Sequence, residues 1–126
     1  MNIPNNLKYS ESHEWLRIEG DEAYVGITEF AATHLGDIVF IEIETEGENL
    51  DKGESFGTIE AVKTVSDMFM PVDGEVVEVN PVLADKADAV NKDPYGEGWM
   101  IKAKVANVAD VAALLSAEQY RALIGH

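Results

Sequence analysis

The residues best suited to chemistry stand near the N-terminus, where Ser12-His13-Glu14 brings together the three side-chain types of a hydrolytic relay. If this stretch is extended, side chains alternate, so Ser12 and Glu14 share one face while His13 points to the other. No local relay through His13 is then possible. What is left is a hydroxyl beside a carboxylate, an arrangement that a solvated strand edge would also produce. His13, His34 and His126 show no ligand spacing, and in a chain without cysteine a zinc site would need a carboxylate combination that no run displays. Glu42, Glu44, Glu46 and Glu48 lack the Asp-x-Asp-x-Asp-Gly spacing of a calcium loop and read as a solvated face. Gly96-Glu97-Gly98 leads into a strand, whereas a phosphate cradle needs a following helix N-terminus. No metal or nucleotide site is expected. There remains Lys63, the only basic residue between Lys52 and Lys86. It lies in Glu60-Ala61-Val62-Lys63-Thr64-Val65-Ser66-Asp67, between two strand-like runs, where a hairpin would place its amine in solvent. On composition and periodicity alone, an ordinary turn lysine accounts for it.

The elements that must position these residues are mostly strands. Trp15 to Glu19 leads through Gly20-Asp21 into Glu22 to Gly26, which reads as a hairpin. Thr28 is placed to cap a short helix over 29–35: its hydroxyl can accept an orphan amide, Glu29 suits the N-terminal dipole, and Gly36 can take the position just past the end. From Asp37 to Val105 short strands are expected at Ile38–Ile43, Glu54–Glu60, Val65–Met70, Glu75–Val79 and Trp99–Val105, punctuated by Gly and Pro. Many short strands with such turns favour a sandwich or barrel. Val108, Val111, Ala112 and Leu115 fall on one helical face, and Ser116 with Gln119 has capping-box spacing before a last helix ending near Gly125. The reading is therefore one domain over residues 1–126, with a β core over about 14–105 and a helical segment over about 107–125.

Composition narrows the function classes. The chain has 126 residues, with 24 acidic against 9 basic side chains and a formal charge of −15. That excess would be repelled by a phosphate backbone and by an anionic membrane surface, so neither nucleic acid nor membrane is an expected partner. The absence of cysteine excludes a disulfide framework, a thiolate metal site and a cysteine nucleophile. No apolar run approaches the roughly 20 residues of a membrane helix. The first residues lack signal-peptide and transit patterns. A cytoplasmic, bacterial location is expected; a mature mitochondrial protein would read the same way.

Gly57-Thr58-Ile59-Glu60-Ala61-Val62-Lys63-Thr64-Val65-Ser66-Asp67, followed by Pro71-Val72-Asp73-Gly74-Glu75-Val76, resembles the lipoyl-lysine region of the glycine cleavage H-protein family. Ser12-His13-Glu14-Trp15, Val25-Gly26-Ile27-Thr28 with Leu35-Gly36-Asp37, Val79-Asn80, and Pro94-Tyr95-Gly96-Glu97-Gly98-Trp99 stand where that family has them, so the likeness runs from about Leu7 to Ile124. It departs from the family's commonest wording at Ala61, Val65 and Met68-Phe69-Met70.

The resemblance implies a mainly β barrel-sandwich hybrid with Lys63 at an exposed hairpin. It implies lipoic acid held as an amide on Lys63, and a carrier rather than an enzyme. The cargo would be the aminomethyl group of glycine, taken from a pyridoxal-phosphate glycine decarboxylase and passed to an aminomethyltransferase that uses tetrahydrofolate. Dihydrolipoyl dehydrogenase would reoxidise the dithiol, and lipoylating enzymes would recognise Glu60, Val62 and Thr64. The family's arm cleft maps onto Ser12, Glu14, His34 and Asp67, with Glu14 and Asp67 expected to hold the ammonium. A monomer is expected. The same lysine would serve a lipoate relay that donates the group to other lipoyl domains. A lipoyl domain of a 2-oxo acid dehydrogenase would lack Ser12-His13-Glu14-Trp15 and the helical tail. A biotin carrier would have methionine where Val62 and Thr64 stand.

Overall fold

The computed structural model describes residues 1–125; His126 lies outside the described residues. Strands β1 (Lys8–Tyr9), β2 (Glu14–Glu19) and β3 (Glu22–Ile27) precede helix α1 (Glu29–Leu35). Strands β4 (Ile38–Glu42), β5 (Asn49–Leu50), β6 (Ser55–Ala61), β7 (Val65–Phe69) and β8 (Gly74–Val79) follow. Two single-turn helices, α2 (Val82–Asp85) and α3 (Ala89–Lys92), lead to β9 (Ile101–Val105), a 3₁₀ segment (Val108–Ala113) and α4 (Ala117–Ile124). The strands make two antiparallel sheets, one ordered β1-β2-β3-β9-β8-β5 and one ordered β4-β6-β7. This is the mainly β barrel-sandwich architecture expected from the sequence.

Both sheets bury alternate side chains against each other, so Leu16, Val25, Phe56, Ile59, Met68, Val76 and Ile101 share one main core. The six-stranded sheet is also covered on its other face. Trp15, next to Leu16 and therefore on the opposite side of β2, packs with Tyr9, Ile3, Leu7, Ala117 and Tyr120 in a second cluster. Thus the C-terminal helix has an apolar seat, and β2 carries Glu14 into the seam between the sheets while Trp15 anchors the outer cover.

Local chemistry explains the ends of these elements. Gly20, at a φ of 70°, turns β2 into β3 with Glu19 opposite Glu22. Thr28 Oγ1 accepts from the Ala31 amide at 3.2 Å and Gly36, at a φ of 79°, ends α1. The Ser116–Gln119 capping box opens α4, and Gly125 closes it in the left-handed conformation. Asn91 accepts from the Ile38 amide through Oδ1 and donates to the Gly36 carbonyl through Nδ2, tying α3 to the link between α1 and β4.

Several expectations need correction. The apolar spacing from Val108 to Leu115 pointed to one α-helical face, but residues 108–113 form a 3₁₀ helix and Leu115 pairs with Tyr9 as a β-bridge. The buried residues are Val111 and Leu114, three apart, which matches the tighter 3₁₀ repeat. Pairing begins earlier than Glu14, because Lys8 and Tyr9 already join β2. The last strand starts at Ile101 rather than Trp99. α2 and α3 lie where only turns were read, each too short for a periodic pattern to register.

Gly26 faces Trp15 across the β2–β3 ladder, and a Cβ there would stand 2.8 Å from three atoms of the indole. The ring is fully buried and held by its Nε1–H to the Pro94 carbonyl at 3.0 Å, so it has no room to give. Gly26→Ala is expected to lower unfolding free energy by about 1–3 kcal/mol in chemical denaturation; an unchanged midpoint would contradict this packing.

Candidate functional site

Lys63 occupies the tip of the β6–β7 hairpin. Glu60 pairs with Val65, the Ala61 amide donates to the Thr64 carbonyl at 2.8 Å, and Val62 and Lys63 form the loop between them. Neither loop residue has positive φ, so the turn is not one of the glycine-dependent hairpin types. A second tie fixes it: the Val62 amide donates to the Asp37 carbonyl at 3.0 Å, binding the tip to the strand beside it. Among the described residues no carboxylate lies within ion-pair distance of Lys63 Nζ. The site thus offers an exposed, unpaired primary amine on a backbone held from both sides.

A cleft of about 220 Å³ opens beside the body of this hairpin. Ser12, Glu14, His34 and Asp67 all line it, together with apolar groups from Ile27, Phe30, Ile59 and Met68. Of its two acidic residues, Glu14 is the buried one, at 2% exposed. Glu14 Oε1 accepts from Ser10 Oγ and Ser12 Oγ, each at 2.6 Å, and Oε2 accepts from the Phe69 amide at 3.3 Å. A carboxylate offers about four lone-pair positions, so Oε2 retains one. Burial pushes the Glu14 carboxyl above the ordinary carboxylate range, against the downward pull of the bonds from Ser10, Ser12 and Phe69. Because Ser12 donates its proton to Glu14, its own lone pairs remain free to accept.

His13 does not stand apart on an opposite face as strand alternation would place it: it lines the same cleft as Ser12 and Glu14. His13 has a φ of 75° and is the one non-glycine residue among those described with positive φ. Its amide closes a turn onto the Ser10 carbonyl at 3.1 Å, and its carbonyl accepts from the Thr28 amide at 3.0 Å. The ring then turns under the C-terminal helix, where Nδ1 meets Tyr120 Oη at 2.8 Å and Tyr120 Oη meets Thr28 Oγ1 at 2.7 Å. Burial, and secondarily the neighbouring His34, push His13 below its usual range. A neutral His13 accepting from Tyr120 fits that direction. His34 packs on Phe30 at 4.2 Å between centroids and donates from Nδ1 to the Phe30 carbonyl, which leaves Nε2 toward solvent.

Asp67 has a different aspect. Alternation along β7 sends Met68 into the core and leaves Asp67 exposed opposite Thr58, and its Oδ1 accepts weakly from Ser55 Oγ at 3.4 Å. It sits on the cleft's rim, whereas Glu14 forms its floor. Glu60, Val62 and Thr64 flank Lys63 and are all exposed. Ser10, Phe30 and Tyr120 were missed by the sequence reading. Ser10 could have been found from the period-two run Ser10, Ser12, Glu14; Tyr120, 107 residues from His13, carries no local signal. Among the described residues no group of acids and histidines could hold a metal ion. No described helix is long and apolar enough to cross a membrane.

The profile of the family described as "Glycine cleavage H-protein" matches residues 7–126. The chain belongs to that family. A glycine cleavage system H protein from Bacteroides fragilis is 63% identical over 124 residues, covering 98% of each chain. One from Bacteroides thetaiotaomicron is 57% identical with the same coverage. The crystal structure of a glycine cleavage system H protein from Mycobacterium marinum superposes with a TM-score of 0.89 at 38% identity, covering 98% of this chain and all of the other. This family member is a carrier protein of the glycine cleavage system.

Glu14 makes the fold's stability depend on pH. With its folded titration raised above the usual 4.5, the charged form is disfavoured by folding, so the penalty is full above the raised range. It disappears as pH falls through that range toward 4.5. Glu14→Gln keeps the bulk and removes the charge. The unfolding free energy of the wild type should therefore improve relative to Glu14→Gln on going from neutral pH to about 4.5. A difference that stays flat in denaturation curves across that span would contradict the burial cost.

Proposed function

We propose that Lys63 carries lipoate as an amide and that the cleft beside its hairpin shelters the distal end of the arm when that end bears an amine. The single observation that carries this reading is the shared hairpin: the strands that raise Lys63 into solvent also supply Ile59, Asp67 and Met68 to the wall facing Glu14. The residues fit such a group on chemical grounds. An exposed unpaired amine is the attachment point, the apolar wall suits an alkyl chain, and the spare lone pair of Glu14 Oε2 suits a cation. When bound, the group supplies a disulfide that opens to take up the aminomethyl unit and a dithiol that is later reoxidised.

The chain's own part is to hold a proton on the cargo. An aminomethyl thioether with a neutral amine would expel its thiolate and leave an iminium that water converts to formaldehyde and ammonia, whereas a protonated amine lacks the lone pair that drives the loss. Glu14 favours the charged amine by direct attraction inside a partly desolvated cleft. Ser12 accepts a hydrogen bond from the ammonium, Asp67 adds negative charge at the rim, and His34 covers the arm from α1. The partners are a pyridoxal-phosphate glycine decarboxylase, a tetrahydrofolate-dependent aminomethyltransferase, dihydrolipoyl dehydrogenase and lipoylating enzymes. The formal charge of −15 suits brief, salt-sensitive encounters with several enzymes in turn.

The test is to charge lipoylated protein with glycine through the decarboxylase, remove the enzyme and follow formaldehyde release. Glu14→Ala should release formaldehyde about tenfold faster, the equivalent of roughly 1.4 kcal/mol of lost stabilisation. Lys63→Arg should take up no glycine carbon. An unchanged release rate in Glu14→Ala would remove the sheltering role, and charging of Lys63→Arg would remove the attachment site.

A further inference from the structure

Among the described residues, nothing layers over the outer face of the β4-β6-β7 sheet, and that face is apolar where it need not be. Phe40 pairs with Glu60 and Glu60 with Val65, so these three side chains form one row across the sheet. A register shift between Ile38 and Phe40 leaves Val39 outward beside Phe40. Val39 and Phe40 are each 53% exposed, Val65 64% and Val62 71%, and the row ends within two residues of Lys63. Exposed acids surround it at Asp37, Glu42 and Asp67, with Glu60 in its centre. Such a patch, apolar with a charged rim, is the signature of a surface meant to be covered.

We propose that this face is the docking surface for the enzyme that acylates Lys63, and that the enzyme meets it with an apolar hollow rimmed by cationic side chains. This rests on the assignment of Lys63 as the lipoyl site. Reach selects the occupant. Four methylenes carry a bare lysine amine only roughly 6 Å past its Cα, so the acylating active site must press against the hairpin tip and cover what flanks it. Enzymes that act on the far end of the finished arm stand off by the added length. Charge selects the partner's rim: Lys63 is the one cation between Lys52 and Lys86, so the face around it is acidic. A second copy of this chain would bring acid against acid at −15 each.

The reaction at the docked tip balances without further components beyond an activated lipoyl carboxylate, either a mixed anhydride with a nucleotide phosphate or a thioester. Lys63 Nζ attacks the acyl carbon, a C–N bond forms, and the C–O or C–S bond breaks. The nucleotide or thiol leaves, and the proton lost from Nζ goes to a base of the enzyme. No electron transfer is involved.

The test uses the unmodified full-length chain, an ATP-dependent lipoate ligase, free lipoate and mass detection of the adduct. Phe40→Thr combined with Val65→Thr places strand-favouring β-branched side chains at both positions and removes the apolar row. It should lower kcat/KM for lipoylation about tenfold or more. Val108→Thr and Leu123→Ser, equally exposed elsewhere, should stay near the wild type. Rising salt should lower the wild-type kcat/KM. Circular dichroism melting of the double variant serves as the folding check, and the single Val65→Thr should show a partial loss if the double variant melts early. Normal lipoylation of a folded double variant would overturn the proposal. So would normal lipoylation with impaired glycine turnover afterwards, since the patch would then belong to a later partner. Failure of the wild type itself to gain an adduct at Lys63 would instead overturn the assignment of the lipoyl site.

Discussion

Glu14 is buried at the seam of the two sheets with no basic side chain among the described residues within ion-pair distance, and much of the surrounding structure answers to that constraint. An unpaired carboxylate out of water is costly unless hydrogen bonds replace its hydration. Ser10 and Ser12 supply two, and both must therefore turn their hydroxyls toward the carboxylate from the turn that precedes β2, Ser10 from a buried position and Ser12 from an exposed one. That turn exists because His13 adopts a left-handed backbone, a conformation sparsely populated by residues other than glycine. His13 is held there by its amide and carbonyl bonds and by Tyr120 on the C-terminal helix. The third bond to Glu14 comes from the Phe69 amide, so the carboxylate also joins the six-stranded sheet to the β6–β7 hairpin.

The same constraint links the termini to the hairpin. Tyr9 stacks on Tyr120 at 4.7 Å, Tyr120 bridges His13 and Thr28, and Thr28 caps α1, which lays Phe30 and His34 over the cleft. A buried charge that is satisfied but not neutralised attracts cations, and the cleft that Glu14 lines is partly open to solvent. In the proposed role, the cost of burying Glu14 in the resting protein is what an incoming ammonium would relieve. Lys63 lies outside this network, on a hairpin tip tied through the backbone of its neighbours, as the proposed role of a mobile attachment point requires.

Much of this was legible in the chain itself, and the limits have physical causes. The bounds of α1 follow from Thr28 and Gly36, and the last helix from Ser116, Gln119 and Gly125, because caps act over three or four residues and leave a local signature. The hairpin about Gly20-Asp21 was equally local. What failed was periodicity in short elements: apolar residues at 108, 111, 112 and 115 fit an α-helical face, yet Leu115 was drawn off to pair with Tyr9. The grouping of Ser12, Glu14, His34 and Asp67 about one cleft came from the family likeness. That Glu14 would form the floor and Asp67 the rim, and that Tyr120 would brace His13, depends on contacts across 55 to 107 residues. Such pairings leave no trace in local pattern.

The central claim is that Lys63 is an attachment point rather than a solvent-facing turn lysine. It is tested most directly by intact and peptide mass spectra of the chain produced in lipoate-supplied cells with a competent lipoylating enzyme, beside Lys63→Arg. A single lipoyl adduct is expected, localised to Lys63 and abolished by the substitution. An unmodified chain, a biotin adduct, or a lipoyl group on another lysine would contradict it.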